Sequence, residues 1–190
     1  MSEAARKHAV YEDLYNVPEN MTGEIINGEL FVTPRPSRRH TETASSILIE
    51  IGPPYRYGRG GPGGWIILVE PEIGLAENIL VPDLAGWQRD RYPGEEPHNW
   101  ISVPPDWVCE ILSPSTARLD KVKKMPVYAQ HGVPHLWLVD PLAKTLDVFE
   151  LQNGRWVLLG SYVEDDKVRA VPFAEVEIDL AGLWSPSQAG

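Results

Sequence analysis

Cysteine is almost absent from this sequence of 190 residues, where Cys109 is the single example. One cysteine excludes an intramolecular disulfide and fits a reducing compartment. Long apolar runs are also missing, since none approaches the roughly 20 residues that a membrane span needs. Residues 1–8 lack the basic and then apolar pattern of a secretory signal. We therefore expect a cytoplasmic protein without a membrane partner.

Basic residues are in the minority. The 17 lysines and arginines face 27 acidic residues, which gives a formal net charge of -10. Proteins that bind nucleic acid without sequence preference are usually basic, because neutralisation of phosphates drives their affinity. Any nucleic acid that binds this chain must therefore meet a local basic patch, a metal ion or the groove of an oligomer.

Internal repeats and a domain boundary are absent as well, and 190 residues suffice for one domain with a substantial core. We expect a single domain over residues 1–190, with a disordered tail at 185–190. Apolar runs rich in β-branched and aromatic residues predict strands. These are Trp65–Val69, Ile79–Trp87, Trp107–Leu112, Leu136–Val139, Thr145–Glu150, Trp156–Tyr162 and Val168–Val171.

Turn and helix signals complete the prediction of an α+β (α/β) domain with a mixed sheet. Asn27-Gly28 between two apolar stretches predicts an N-terminal hairpin, because both residues accept the positive φ of a type I′ turn. Residues 41–51 carry apolar side chains at three- and four-residue spacing, which predicts an amphipathic helix.

Three acidic residues lie within or beside the apolar runs: Glu24, Asp83 and Glu110. A carboxylate in a buried strand costs several kcal/mol unless a cation, a metal or hydrogen bonds compensate it. If the strands of Asp83 and Glu110 pair, both carboxylates can converge on a hard cation such as Mg²⁺. Two alternatives stay open, in which Asp83 is a turn residue and Glu24 only satisfies the hairpin.

The segment after Glu110 adds Asp120, Lys124 and Tyr128 at four-residue spacing, on one face of a helix. Lys124 can then reach the acids, where it would hold a water nucleophile or neutralise a phosphate. The alternative is that Asp120 and Lys124 pair on a solvated surface. Pro126 lacks an N–H and should kink or restart the helix.

Taken in order, these residues make the chain resemble the Uma-type family of restriction-endonuclease-like proteins, a branch of the PD-(D/E)XK phosphodiesterase superfamily. The resemblance covers roughly Tyr11 to Leu183. It is carried by Glu24 with Asn27-Gly28-Glu29, Pro34 and His40, Val81-Pro82-Asp83, Glu110 to Thr116, Asp120 with Lys124 and Tyr128, and Gly132-Val133-Pro134 leading to Trp137–Asp140.

The resemblance implies a restriction-endonuclease-like core, with a central mixed sheet flanked by helices. It also implies that Asp83, Glu110 and the backbone carbonyl of Ile111 hold Mg²⁺ or Mn²⁺. The lysine of the superfamily normally lies two residues after the second acid, where this chain has Leu112; the Uma-type pattern takes it from the following helix, as Lys124. Glu24, His40, Asp120 and Tyr128 are additional candidates for the site, although a hydrogen bond at the helix start is an alternative for His40.

The function implied is a Mg²⁺-dependent endonuclease that cleaves DNA, with Asp83, Glu110 and Lys124 as catalytic residues. A second hypothesis is a degenerate nuclease fold that serves as a binding or assembly module. A third is a metal-dependent hydrolase of a small phosphorylated substrate, which suits the acidic composition better. By analogy with small nuclease domains that act on two strands, we expect a homodimer or higher homo-oligomer.

Overall fold

The computed structural model describes residues 8–184, which are organised by a six-stranded and a four-stranded β-sheet. The strands of this part of the chain are β1 (Met21–Ile26), β2 (Glu29–Pro34), β3 (Trp65–Val69), β4 (Ile73–Leu75), β5 (Asn78–Leu80), β6 (Leu84–Gln88), β7 (Trp107–Ile111), β8 (His135–Asp140), β9 (Thr145–Gln152), β10 (Arg155–Val163), β11 (Lys167–Val168) and β12 (Ile178–Asp179).

The α-helices are α1 (Arg38–Ile51), α2 (Ala117–Leu119) and α3 (Met125–Gln130). A π-helical turn, Asp120–Lys124, joins α2 to α3, so residues 117–130 form one continuous helical segment. Another π-helical turn follows α1 at Gly52–Arg56, and 3₁₀ helices lie at Tyr11–Asn16 and Leu180–Leu183. Within residues 8–184, no helix combines the length and the apolar character that a membrane span requires.

The larger sheet has the spatial order β10-β9-β8-β7-β6-β3. Its central strands β7 and β8 are parallel and its other neighbours are antiparallel, so the sheet is mixed. The smaller sheet, ordered β2-β1-β5-β4, begins with the hairpin that turns at Asn27-Gly28, where φ is 49° and 72°. These features confirm the α+β fold with a central mixed sheet, flanking helices and an N-terminal hairpin.

The alternating side chains of β7 divide the core into two layers, as the sequence predicts. Trp107, Cys109 and Ile111 pack with α1 and with residues 168–184. Val108 faces the opposite side, where α3 and the smaller sheet cover the strand. Glu110 lies on this second side and is 1% exposed. A carboxylate is therefore buried between the two sheets and the helical segment.

The prediction of one strand over Ile79–Trp87 is wrong. The chain leaves the smaller sheet after Leu80 and enters the larger sheet at Leu84, with Val81, Pro82 and Asp83 between them. Proline has no N–H to donate to a sheet, so it favours a break at this point.

The predicted strand Val168–Val171 is also shorter than expected, because only Lys167–Val168 pairs. A turn follows in which the N–H of Phe173 donates to the carbonyl of Ala170. The predicted disordered tail at 185–190 lies outside the described residues.

Candidate functional site

The two acids of the central strands meet at one end of the larger sheet. Leu84 pairs with Cys109, so Asp83, just before β6, lies beside the last residues of β7. The Oδ2 atom of Asp83 accepts a hydrogen bond from the backbone N–H of Ile111 at 2.6 Å. This hydrogen bond holds the carboxylate of Asp83 at the C-terminal end of β7.

The N-terminal hairpin brings a third acid to the same place. β1 pairs with β5 through Ile25 and Ile79, which sets Glu24 next to the break after β5. Its Oε1 atom accepts a hydrogen bond from the backbone N–H of Val81 at 2.8 Å. Glu24 is 4% exposed and contacts the site rather than its own hairpin partner.

Lys124 lies among these acids. Its Nζ atom is 2.8 Å from Oε1 of Glu110, 3.1 Å from Oε1 of Glu24 and 3.1 Å from the carbonyl oxygen of Val81. The ammonium of Lys124 donates a hydrogen bond to the Val81 carbonyl, and Glu110 and Glu24 are its ion-pair partners. The Oδ1 atom of Asp120 lies slightly farther away, at 3.7 Å.

The π-helical turn positions both Asp120 and Lys124. The N–H of Met125 donates to the carbonyl of Asp120 across this wider turn, and α3 then begins with Pro126 in its first turn. This location of Pro126 fits the predicted kink or restart, because its missing N–H falls where the hydrogen bonds of the π-helical turn give way to those of α3. Asp120 and Lys124 are 4% and 2% exposed, so the alternative of a solvated surface pair is wrong.

Tyr128 lies one helical turn after Lys124 on the same face. Its hydroxyl donates to Oε1 of Glu110 at 2.6 Å, and the side chain is buried. Glu110 is therefore held from the helix by both a cation and a neutral donor. Burial and the charge of Glu110 raise the pKa of the Tyr128 phenol well above its usual value, so the phenol keeps its proton.

The side chain of His40, in the first turn of α1, lies next to Asp83. Ser37 caps α1 and accepts from the backbone N–H of His40 at 3.4 Å, while the imidazole Nε2 lies 3.1 Å from Oδ2 of Asp83. Burial lowers the pKa of the imidazole, but Asp83 and the backbone of Ile111 outweigh it and raise the pKa overall. Only the backbone of His40 is used at the helix start, and its ring belongs to the site.

The site contains more negative charge than its cations balance. Glu24, Asp83, Glu110 and Asp120 face one lysine and one histidine. Burial raises the pKa of Glu110 well above its usual value, and Asp120, Asp83 and Glu24 add to this although Lys124 opposes it. Burial likewise raises the pKa of Asp120 to about 6. The pKa of Lys124 is raised because Glu110 and Glu24 outweigh its own burial.

These residues line a pocket of about 290 Å³. Its lining includes residues 33–37, where β2 leads into α1, and residues 113–116, which follow β7. The hydroxyls of Ser113 and Thr116 lie 2.9 Å apart. The sequence indicated neither these hydroxyls nor Arg35 as site residues, although the Ser-Pro-Ser-Thr run directly after the strand of Glu110 was a usable signal.

The donor atoms of the pocket suit a hard divalent cation. Within residues 8–184, no three His, Cys, Asp or Glu side chains are arranged as a metal-holding group. Mg²⁺ needs fewer protein ligands, since one or two carboxylates together with water and substrate phosphate usually complete its coordination. Asp83 and Glu110 supply two carboxylates, and the excess negative charge favours a dication. The residues present therefore fit Mg²⁺ or Mn²⁺.

The chain is similar to known proteins in its family and in its fold. A family model described as "Putative restriction endonuclease" matches residues 9–181. A crystal structure of "a putative nuclease belonging to DUF820 from Anabaena variabilis" is similar to this chain, with a TM-score of 0.68 and 24% identity. The similarity covers 93% of this chain and 97% of that chain. No curated protein matches this chain. At this identity the structural likeness shows the fold, which confirms the restriction-endonuclease-like architecture expected from the sequence.

Proposed function

This chain belongs to the Uma2 family, whose model is described as "Putative restriction endonuclease", and from that premise we propose that it is a metal-dependent endonuclease acting on DNA. The observation that carries the proposal is the convergence of Glu24, Asp83, Glu110 and Lys124 at one end of the central sheet. Burial of several acids around one lysine costs the folded state free energy. Phosphodiester hydrolysis is a function that requires such acids.

In this proposal Asp83, Glu110 and the carbonyl of Ile111 hold Mg²⁺ or Mn²⁺. Such an ion lowers the pKa of water and stabilises the charge that develops on a phosphate. The protein residues hold the carboxylates in place: the N–H of Ile111 orients Asp83, while Tyr128 and Lys124 orient Glu110. These fixed orientations reduce the reorganisation needed when a phosphate arrives.

Lys124 is proposed to orient the attacking water and to balance charge at the phosphate. Its ammonium donates a hydrogen bond to the Val81 carbonyl and forms ion pairs with Glu110 and Glu24, and it would exchange one of these contacts for the water or the phosphate. The carbonyl of Val81 is the acceptor that costs least to release, because it is neutral whereas Glu24 and Glu110 are acidic. His40 holds Asp83 from the opposite side, and Glu24 and Asp120 keep the ammonium charged.

A second candidate, the hydrolysis of a small phosphorylated substrate, is favoured by the pocket volume of about 290 Å³ and by the net charge of -10. This volume lies near the lower end of the range for small-molecule sites. Under this alternative the same residues perform the same chemistry, and only the substrate differs.

Three further features stay predictions. We propose that the chain acts as a single domain, that it forms a homodimer in order to reach both strands of DNA, and that it works in the cytoplasm. The homodimer rests on analogy and on the need of a small domain for two active sites.

The test is cleavage of supercoiled plasmid and of single-stranded DNA in Mg²⁺ or Mn²⁺, with a small phosphodiester assayed in parallel. We expect wild type to cleave DNA. Asp83→Asn should lower the cleavage rate by more than the roughly 10–100-fold that is typical when a residue that only supports a metal ligand is removed. Asp165→Asn, which neutralises an exposed acid between β10 and β11, is the matched control and should cleave as wild type does. Activity on the small phosphodiester alone would support the second candidate, and no activity in any metal would support a degenerate binding module.

A further inference from the structure

The two outer strands of the six-stranded sheet, β3 and β10, differ in what lies beside them. The π-helical turn after α1 lies beside β3, where the guanidinium of Arg56 donates to the carbonyl of Ile67. Among residues 8–184, β10 pairs with β9 on one side and with no strand on the other. The outer edge of a sheet presents backbone donors and acceptors that can pair with another chain. The edge of β10 is therefore open, whereas that of β3 is partly covered.

The outer strands of the smaller sheet are protected as well. Ile101 bridges to β4, with its N–H donating to the carbonyl of Glu72 and its carbonyl accepting from the N–H of Gly74. β2 begins with the exposed Glu29 and ends with the exposed Pro34. Charged residues and proline are common means of blunting an edge. Among the outer strands of the two sheets, β10 is thus the open one.

β10 is apolar as well as open. Arg155 is the only charged residue among its nine, and the strand contains no proline. Val157, Leu158, Leu159 and Val163 are between 36% and 51% exposed. A bulge leaves Leu159 without a partner on β9. Bulges can blunt an edge, but this one presents a leucine rather than a charge, so the strand keeps an apolar surface suited to contact with another strand.

The charges at the two ends of β10 favour a second copy of the same chain as that contact. β10 begins at Arg155, and Glu164 follows its last residue; both are exposed. In an antiparallel pair of identical strands, the start of each strand lies beside the end of the other. Arg155 of each copy would then lie next to Glu164 of the other copy. A parallel pair would instead set the two arginines opposite each other, and like charges opposite each other are destabilising.

The open edge also determines the size of the assembly. A two-fold interface uses the same surface on both copies. Pairing of β10 with β10 consumes the open edge of both copies, and the covered or blunted edges of β2, β3 and β4 leave no comparable edge for a third. The expected assembly is a closed dimer rather than a fibre.

We infer that β10 is the dimerisation surface of this protein, where it pairs antiparallel with β10 of a second copy about a two-fold axis at Leu159. Leu159 is the middle residue of the strand, so pairing over the full length places it opposite its own copy. The inference rests on the homodimer proposed above and adds its surface. Within residues 8–184, the side chains that line the pocket of the acids lie outside β10, so each copy keeps a complete site.

Analytical ultracentrifugation over a range of protein concentrations tests the surface. We expect wild type to be a dimer, and Leu159→Lys to raise the dissociation constant of the dimer at least about tenfold, because two like charges replace two leucines at the axis. Ile49→Lys is the matched control. It places the same charge at an apolar residue of α1 that is 68% exposed, and it should leave the dissociation constant unchanged. Circular dichroism checks that both variants stay folded.

Cysteine cross-linking tests the direction and register of the two strands. Under a mild oxidant, Leu159→Cys should form a disulfide between copies, because opposite Cα atoms of an antiparallel pair lie about 4.5–5.5 Å apart. Val163→Cys, an exposed valine of the same strand, is the control. It lies four residues from the axis, so the two cysteines would be about 27 Å apart and should not cross-link. The native Cys109 is buried and should not react.

A monomeric wild type would overturn the inference. A dimer that Leu159→Lys does not weaken would also overturn it, while the homodimer itself would stand on another surface. Equal cross-linking of Leu159→Cys and Val163→Cys would show parallel strands and contradict the two-fold axis. The nuclease proposal is separable, since a dimer with these properties that cleaves no DNA in any metal would overturn the nuclease and leave the interface intact.

Discussion

At the scale of single residues, Lys124 is the cation on which the buried acids depend. It is within 3.1 Å of both Glu24 and Glu110, and its side chain is 3% exposed. Removal of one partner from a buried ion pair leaves an uncompensated charge and typically costs 3–5 kcal/mol. The same contacts make Lys124 structurally important whether or not it takes part in catalysis.

We therefore predict that Lys124→Met lowers the free energy of unfolding by about 3–5 kcal/mol at neutral pH, because Glu24 and Glu110 lose their counter-charge. Urea denaturation measures this loss. Lys121→Met, an exposed neighbour on the same π-helical turn, is the matched control and should change stability by no more than about 0.5 kcal/mol. Adding Glu110→Gln to Lys124→Met should restore part of the loss, and a loss under about 1 kcal/mol in the single variant would contradict the central role of the lysine.

His135 gives a prediction about pH. Burial lowers the pKa of its imidazole below the ordinary 6.5, although Glu150 and Asp106 partly oppose this. Below pH 6.5 the unfolded chain therefore binds a proton at this histidine that the folded chain does not bind, and stability is lost as the pH falls. His135→Gln removes this contribution, so its free energy of unfolding should decline less steeply than that of wild type between about pH 7 and pH 5.

Denaturant titrations at several pH values measure the two slopes. All other titrating groups are common to both proteins, so their contributions cancel in the comparison. An identical pH dependence would show that the imidazole titrates alike in the folded and unfolded chains.

The sequence predicted the side chains of the site better than its backbone groups. Asp83, Glu110 and Lys124 could be named from their positions in a familiar ordered pattern, and the structure brings them together. The carbonyl of Val81, which Lys124 contacts, could not be named, because every residue has a carbonyl and only the fold decides which one is close. The sequence did not indicate Arg35 either, since its place in the pocket lining depends on how β2 leads into α1.

At the scale of elements, local signals were reliable where the chemistry of a turn determines the structure. Asn27-Gly28 forms the predicted hairpin turn, and Asn153-Gly154 turns the hairpin of β9 and β10 in the same way, with positive φ at all four residues. The run Ile79–Trp87 was misjudged because an apolar run does not reveal that its two halves join different sheets. Because the chain breaks at Pro82, the carboxylate of Asp83 can accept its hydrogen bond from Ile111 at the end of β7.

Replacement of a turn glycine tests how far the hairpin supports the site. Gly28→Ala should cost more than the roughly 1–2 kcal/mol of a left-handed alanine, because an added Cβ would also meet the ring of His8. Gly154→Ala has a matching φ of 73° and open space around it, so it should show the backbone cost alone. Thermal or chemical denaturation compares the two variants.

Only Gly28→Ala should also reduce activity, since β1 carries Glu24 into the site. Equal losses of stability in the two variants would show that the contact with His8 relaxes without cost. An effect of Gly154→Ala on activity would show that general stability, rather than the position of Glu24, controls the site.

At the scale of the whole molecule, the fold assembles one site from distant parts of the chain. Glu24 comes from the smaller sheet, Asp83 from the link between the two sheets and Glu110 from the larger sheet. Lys124 comes from the helical crossover between β7 and β8. Spacing within a helix or strand could predict which residues share a face, but not that these separate elements meet. That information came from the resemblance of the ordered motifs to a known family, and the family match over residues 9–181 agrees with it.

The whole-molecule charge of -10 makes the local arrangement of charge decisive. Buried carboxylates that line the pocket, together with the exposed Arg35 in the same lining, would attract a dication and a phosphate. The central claim is therefore that a divalent cation binds at Asp83 and Glu110.

Calorimetric titration of Mn²⁺ into wild type and Glu110→Gln tests this claim most directly. The expected result is one site in wild type and an affinity reduced by at least about tenfold in the variant, with Asp165→Asn as an unaffected control. Glu110→Gln should stay folded, because Lys124 keeps its contact with Glu24. A folded wild type that binds no Mn²⁺, or a variant that binds it equally well, would contradict the metal-dependent nuclease.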